Sequence, residues 1–251
     1  IADAIHSVSD LFTDAVVLFG LQIGRKAADE THPFGHRRFE TLASSVVGIS
    51  LIAVALMLGY KAALNIYFHV EYKPNWLAVA IATLSIGVKE ILYQLTLRAG
   101  RKIKSSAVTA NAWHHRSDAM SSIAVLIGVT GAQLRPGWHI LDSYAALAVT
   151  IMIIKVGLDI LIEAVREFTD TAPGPEIQDK IKQCALSVSG VFEVHDLKIR
   201  TSGGLMQMEI HISIDGEQTV KQGHQIAKEV ESCLLDDLDN LHQVIVHVDP
   251  V

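Results

Sequence analysis

Charge is scarce in this chain. Only 19% of its 251 residues are charged and half are hydrophobic, with a mean hydropathy of +0.33. So little charge excludes an ordinary soluble protein of this length and points to a membrane protein with a polar part attached. The net charge of -6 excludes little, because the charges are segregated along the chain, and no nucleic-acid partner is expected. Cysteine is almost missing. Cys184 and Cys233 are the only two, both in the polar last third; two thiols argue against a disulfide scaffold and suit a reducing compartment. Also missing is any His-Glu-x-x-His run, so an intramembrane zinc hydrolase, which would need one, is not expected. No signal peptide is visible, and Ile1 already stands inside an apolar run. The natural N-terminus is therefore expected upstream.

What the chain does have is long apolar runs. Five segments, 1–24, 39–67, 76–97, 107–134 and 140–165, are each long enough to cross about 30 Å of hydrocarbon at about 1.5 Å per residue. A loop at 27–38, rich in Pro, Gly and charge, follows the first, and residues 70–75 and Arg135-Pro136-Gly137 are short connections. Basic residues cluster after segments one, three and five, while the other connections hold only Lys73 and Arg135. The positive-inside rule then places residues 25–38, 98–106 and everything after Arg166 in the cytoplasm. Segments one and four run antiparallel.

Two near-copies of one pattern sit inside these spans: His6-Ser7-Val8-Ser9-Asp10 and His114-His115-Arg116-Ser117-Asp118. A His four residues before an Asp shares its helix face. Two such faces that meet offer two imidazoles and two carboxylates, a set suited to tetrahedral Zn²⁺. Ionisable groups at membrane depth are costly and mark function. The alternative is a pair of polar clusters that only hold helices together. Asp14, and Asp3 toward the start, extend the polar stripe of the first segment, and His115 falls off the face of His114.

Residues 171–251 have a different texture. Thr171-Ala172-Pro173-Gly174-Pro175 reads as a linker, 176–187 and 219–235 as amphipathic helices, and 194–201, 206–214 and 243–248 as half-buried strands. Gly203-Gly204 is a hairpin turn. The order helix, strand, strand, helix, strand (αββαβ) predicts a small α+β domain with helices on one sheet face. It holds His195, His211, His224, His242 and His247, either surface histidines or a second metal site built across strands and a subunit interface.

On Ala2 through Asp10, His32-Pro33-Phe34-Gly35-His36-Arg37-Arg38-Phe39-Glu40, His114 through Asp118, and the αββαβ tail ending His247-Val248-Asp249-Pro250, the chain resembles the cation diffusion facilitators, proton-coupled zinc exporters. The resemblance covers essentially the whole chain. It implies an α-helical membrane bundle with five of the family's six transmembrane helices present in residues 1–169. A cytosolic ferredoxin-like, metallochaperone-like domain in 170–251 would pair two subunits as a homodimer. It implies a transport site at His6, Asp10, His114 and Asp118; a loop site at Asp29, His32 and His36; a cytosolic site at His195, His211, His224, His247 and Asp249; and a charge interlock between Arg38 and Asp170. The His-rich transport set is similar to the zinc-selective branch, since imidazole suits Zn while Mn prefers oxygen ligands.

The expected function is efflux of Zn²⁺, with Cd²⁺, Co²⁺ and Fe²⁺ as alternative substrates. Protons would be the counter-substrate, moving by alternating access in a bilayer, the bacterial inner membrane. Metal and protons compete for the same imidazole and carboxylate atoms. The rival reading is a membrane-anchored zinc sensor or scaffold that binds metal through its cytosolic domain without moving it.

Overall fold

The structure is a computed structural model that describes residues 2–68, 76–134 and 140–251; within these, the side chains of 2–10, 76–79, 81–82, 125, 128–129, 132–134 and 140–142 are outside the description. The expected connections at 70–75 and at Arg135-Pro136-Gly137 therefore lie outside the described residues. The chain divides into two compact units, Ile1–Ala164 and Val165–Val251.

The first unit is built on α1 (Ala2–Gly24), α2 (Arg38–Tyr67), α3 (Trp76–Ile103), α4 (Ser106–Leu134) and most of α5 (Ile140–Phe168). Its burial differs from that of a water-soluble protein, with many large apolar side chains outside and polar ones within. Leu18, Phe19, Ile49, Leu56, Leu84, Ile91, Ile151 and Leu158 are exposed, whereas Thr13, Glu40, Thr41, Ser44, Asn111, His114, Ser117 and Asp118 are buried among alanines. Lipid tails are as apolar as Leu, so large side chains gain nothing by turning inward. Small and polar residues therefore share the helix contacts with a core of Val17, Val47, Leu51 and Ile153. Among the described residues, Arg38–Tyr67 and Ser143–Phe168 are long and apolar enough to cross a bilayer, and Leu11–Gly24 is a shorter apolar stretch. In α3 and α4 polar side chains such as Lys89, Glu90, Asn111 and Asp118 interrupt the apolar run.

Contacts made by small residues set the helix approach. A Cβ on Gly157 of α5 would lie 2.7 Å from Ile52 Cγ1 and 3.0 Å from the Gly48 carbonyl of α2, so these two backbones meet through glycine. In the first turn of α2, the buried Glu40 accepts a hydrogen bond from the Ser105 hydroxyl in the α3–α4 turn. Arg37 Nη1 stands 3.9 Å from the other Glu40 oxygen.

The second unit follows the predicted order: α6 (Pro175–Leu186), β1 (Glu193–Ser202), β2 (Leu205–Ile214), α7 (Val220–Asp237) and β3 (Leu241–Pro250). The sheet order is β1-β2-β3. β1 and β2 are antiparallel, and β3 runs parallel to β2. Gly203 (φ 58°) and Gly204 (φ 84°) make the hairpin turn, whose two left-handed positions favour glycine. The buried Glu167, in the last turn of α5, accepts both glycine N–H groups, at 2.9 and 3.2 Å. Met206, Met208, Ile210, Ile212 and Ile214 of β2 enter the core with Ile181, Ile226, Val230 and Leu234 of the helices. By the two-residue period of a strand, Gln207, Glu209, His211 and Ser213 take the opposite face.

One expectation is corrected here. Cys184 of α6 and Cys233 of α7 are joined as a disulfide, with Cα atoms 6.3 Å apart. Both point from packed helices into the shared core edge, a proximity that sequence spacing does not reveal.

Candidate metal sites

The intramembrane pair on α4 lies at mid-helix. His114 and Asp118 are both buried, with His114 Nε2 3.9 Å from Asp118 Oδ2. The 3.6-residue period puts both groups on one face, as their spacing predicts. Two ligands of a tetrahedral ion with bonds of about 2.0–2.2 Å need only a slight closure from that separation. His6 and Asp10 belong to α1, but their side chains, like that of Asp3, lie outside the described residues. α1 reaches α4 nearby: Asn111 Nδ2 donates to Asp14 Oδ1 at 2.8 Å. His115 stands 3.5 Å from the same amide. Arg116 leaves the polar face, donates to the Tyr93 hydroxyl at 2.8 Å and lies over that ring.

The cluster at Asp29, His32 and His36 is built by the loop between α1 and α2, where the three residues bring ligand atoms within 4.8 Å of one another. Asp29 Oδ1 accepts from the Thr31 hydroxyl at 2.8 Å and from the backbone N–H groups of Thr31 and His32 at 3.0 and 2.7 Å. The Thr31 hydroxyl beside it, followed by the His32 N–H, lowers the Asp29 pKa to about 2. His36 Nδ1 meets the Ala27 carbonyl at 3.2 Å. Only a protonated Nδ1 can do so, which leaves Nε2, 3.4 Å from Asp29 Oδ2, as the metal-facing nitrogen. That is how a backbone carbonyl orients a ligating imidazole. Gly35 (φ 81°) turns the chain between the two histidines.

The cytosolic site lies on the sheet face away from the helices. Register places His195 opposite His211 and His211 opposite His247. Asp249 is two residues beyond His247 and so on the same face. One carboxylate gathers three imidazoles: Asp249 lies 3.0 Å from His211 Nδ1, 3.5 Å from His195 Nε2 and 3.3 Å from His247 Nε2. The His211 hydrogen bond holds the Asp249 carboxyl below its ordinary value, with the charges of the other imidazoles adding to the effect.

His224 does not join this cluster. It is exposed on α7, whose buried face is Gly223, Ile226, Ala227, Val230 and Leu234, and that helix covers the other side of the sheet. His242, the second residue of β3, does not join the cluster either. Arg38 begins α2 and Asp170, with φ 52°, follows α5; their interlock remains a proposal.

Sequence reasoning passed over several groups. Asp196, at φ 45° in the β1 bulge, joins His195 and His211 as a further possible ligand group, and bulges re-aim side chains at such sites. Glu209 Oε1 stands 3.6 Å from His211 Nε2, and its place two residues before His211 was readable from strand period. Thr31 and Lys89 carry no comparable signal in the sequence.

Comparison with known proteins adds independent findings. Residues 1–169 match the family described as cation efflux transmembrane domain, and residues 173–251 match the cation efflux protein cytoplasmic domain. The chain is 36% identical, over its whole length and 88% of the relative's, to the uncharacterized transporter MJ0449 of Methanocaldococcus jannaschii. It is 33% identical to the magnetosome protein MamB of Magnetospira sp. strain QH-2, covering all of this chain and 85% of that one. It is 30% identical to the manganese efflux system protein MneP of Bacillus subtilis, covering 99% of this chain and 85% of that one. Among solved structures, a cadmium form of a MamM CTD variant is similar over 31% of this chain and 96% of that one, at 27% identity and a TM-score of 0.30.

Proposed function

Since the chain belongs to the cation efflux family, an integral membrane family of metal transporters with a cytosolic C-terminal domain, we propose that it expels a divalent metal ion, Zn²⁺ foremost, in exchange for protons. The observation that carries this reading is the buried His114–Asp118 pair at mid-helix on α4. With His6 and Asp10 of α1 it would make a set of two imidazoles and two carboxylates. Imidazole must be neutral and carboxylate ionised to hold the metal, so each proton arriving from outside displaces metal at the same atoms. A site made only of protein ligands carries the ion rather than activating water on it. Rocking of the helices changes which side the site faces, and the cytosolic domain pairs two copies of the chain.

The loop and cytosolic clusters would hold Zn²⁺ as a resident ion through His32, His36 and Asp29 and through His195, His211, His247 and Asp249. Their mixed nitrogen and oxygen donors suit it. The charge interlock of Arg38 and Asp170 would hold the helix base to the junction without binding metal.

A second reading, Mn²⁺ as the substrate, draws on the names of relatives such as MneP and on the oxygen donors of Asp14 and Asn111 beside the transport pair. The test is reconstitution of the full-length protein in proteoliposomes under an imposed pH gradient, with Zn²⁺, Mn²⁺ and Cd²⁺ in turn, beside Asp118→Ala. Gradient-driven Zn²⁺ flux that the variant loses supports exchange through this site. Flux of Mn²⁺ alone would replace the substrate. Zinc binding without any flux would promote the sensor reading.

A further inference from the structure

A cation belonging to the protein already stands at the transport carboxylate. Lys89 Nζ, from α3, lies 3.8 Å from Asp118 Oδ2, the same oxygen that His114 Nε2 approaches at 3.9 Å. Lys89 also lines a cavity of about 360 Å³ with Lys61, Asn65, Ser121, Ser122 and Ser143. With the C-terminal domain cytosolic, five spanning helices put the start of α5 and the ends of α2 and α4 on the outer side. Lys61, Asn65 and Ser143 belong to these outer stretches, and Ser121 and Ser122 sit one turn beyond Asp118 in their direction. The cavity therefore lies on the outer side of Asp118, with Lys89 at its inner end.

An ammonium and a divalent ion repel when they share one carboxylate oxygen in a low-dielectric site. A lysine inside a membrane bundle is itself costly unless paired. We infer that Lys89 is a tethered counter-ion for Asp118: it occupies the carboxylate when metal is absent, withdraws into the outer cavity when metal binds, and returns as metal leaves, so that the site is refilled and metal does not re-enter. The inference rests on the transport-site reading above. It gives Lys89 a positioning role, since it acts on the metal only through Asp118. No covalent step is involved. The lysine stays protonated throughout, and its charge lessens the repulsion between the site's carboxylates in the empty carrier.

The experiment uses the full-length protein carrying His36→Ala and His211→Ala, which silence the loop and cytosolic clusters. Zn²⁺ affinity is read by competition with a chelating dye, and efflux from proteoliposomes is followed in parallel. Lys89→Met is expected to bind Zn²⁺ roughly tenfold more tightly or better, because a competing charge has gone. Its turnover should fall, because release slows. Lys89→Arg restores the charge and should return both values toward those of the parent. Thermal unfolding of each variant controls for folding, and Lys89→Gln serves if the Met variant does not fold. Unchanged or weaker Zn²⁺ affinity in a folded Lys89→Met or Lys89→Gln overturns the inference, even if flux falls, since a merely structural lysine would behave that way. Asp118→Asn separates the two readings. If it leaves affinity untouched, the transport-site assignment fails; if it abolishes binding while Lys89→Met changes nothing, only the role of Lys89 fails.

Discussion

The Asp249 carboxylate lies 3.0 Å from His211 Nδ1 across the β2–β3 ladder. The arrangement depends on a parallel strand pair that aligns His211 with His247 and leaves Asp249 one step beyond. Removing the negative charge at the centre of three imidazoles should weaken metal binding without unfolding the domain, because the side chain is not in the core. Asp249→Asn is therefore expected to lower Zn²⁺ affinity of the cytosolic site by about tenfold or more, read by calorimetry. His224→Ala should leave that affinity unchanged. A loss in the His224 variant equal to that of Asp249→Asn would show that α7 contributes a ligand.

The loop cluster makes a prediction about pH. Asp29 is lowered to about 2, so its carboxylate is ionised at every pH down to that range. What it contributes to loop order is fully present above the ordinary value of 3.8 and is lost only as pH falls through about 2. Metal held by His32 and His36 should also be released on acidification, because protons compete with the ion for the imidazole nitrogens. Thr31→Val removes the largest cause of the shift and should move the Asp29 titration up toward 3.8, seen by carbon NMR of the carboxyl. The midpoint of metal release should stay where it was. A release midpoint that tracked Asp29 instead would count against this division of roles.

Glu167 gives a test of the hairpin. Its carboxylate accepts both turn amides and is buried, and hydrogen bonds to a charged acceptor contribute about 1.5–3 kcal/mol each. Glu167→Ala should speed hydrogen exchange at the Gly203 and Gly204 amides. The domain is expected to lose about 2 kcal/mol or more of stability. Unchanged protection at these two amides would show that the turn holds itself.

The glycine contact between α2 and α5 is testable by size. Gly157→Leu places atoms where Ile52 and the Gly48 carbonyl already lie. Overpacking of this kind costs about 1–3 kcal/mol. A lower thermal midpoint in detergent is expected for Gly157→Leu and a much smaller change for Gly87→Leu, since nothing lies within 4 Å of a Cβ at Gly87. Equal effects at both positions would contradict the contact.

How much was legible depended on whether the information was local. The elements of the second unit were readable because strand and helix periods are local properties, and αββαβ order followed from them. Gly203-Gly204 was readable as a turn for the same reason, since two left-handed residues in a row favour glycine. The parallel pairing of β3 with β2 was not, and that pairing gathers His195, His211, His247 and Asp249 while leaving His224 out. The disulfide between Cys184 and Cys233 likewise depends on how α6 lies beside α7, which a sequence separation of 49 does not encode.

By itself the sequence determined that the chain spans a membrane, that its last third is a separate αββαβ domain, and that His114 and Asp118 share a helix face. Each of these follows from composition or from the fixed periods of helix and strand. Only the tertiary structure decided that the Ala27 carbonyl orients His36, that one Asp249 carboxylate gathers imidazoles from three strands, and that Lys89 meets Asp118. Lys89 and Asp118 come from different helices, and His195, His211 and Asp249 from three different strands. Their approach is set by packing of small residues and strand register, over which a side chain's neighbours in the sequence have no control.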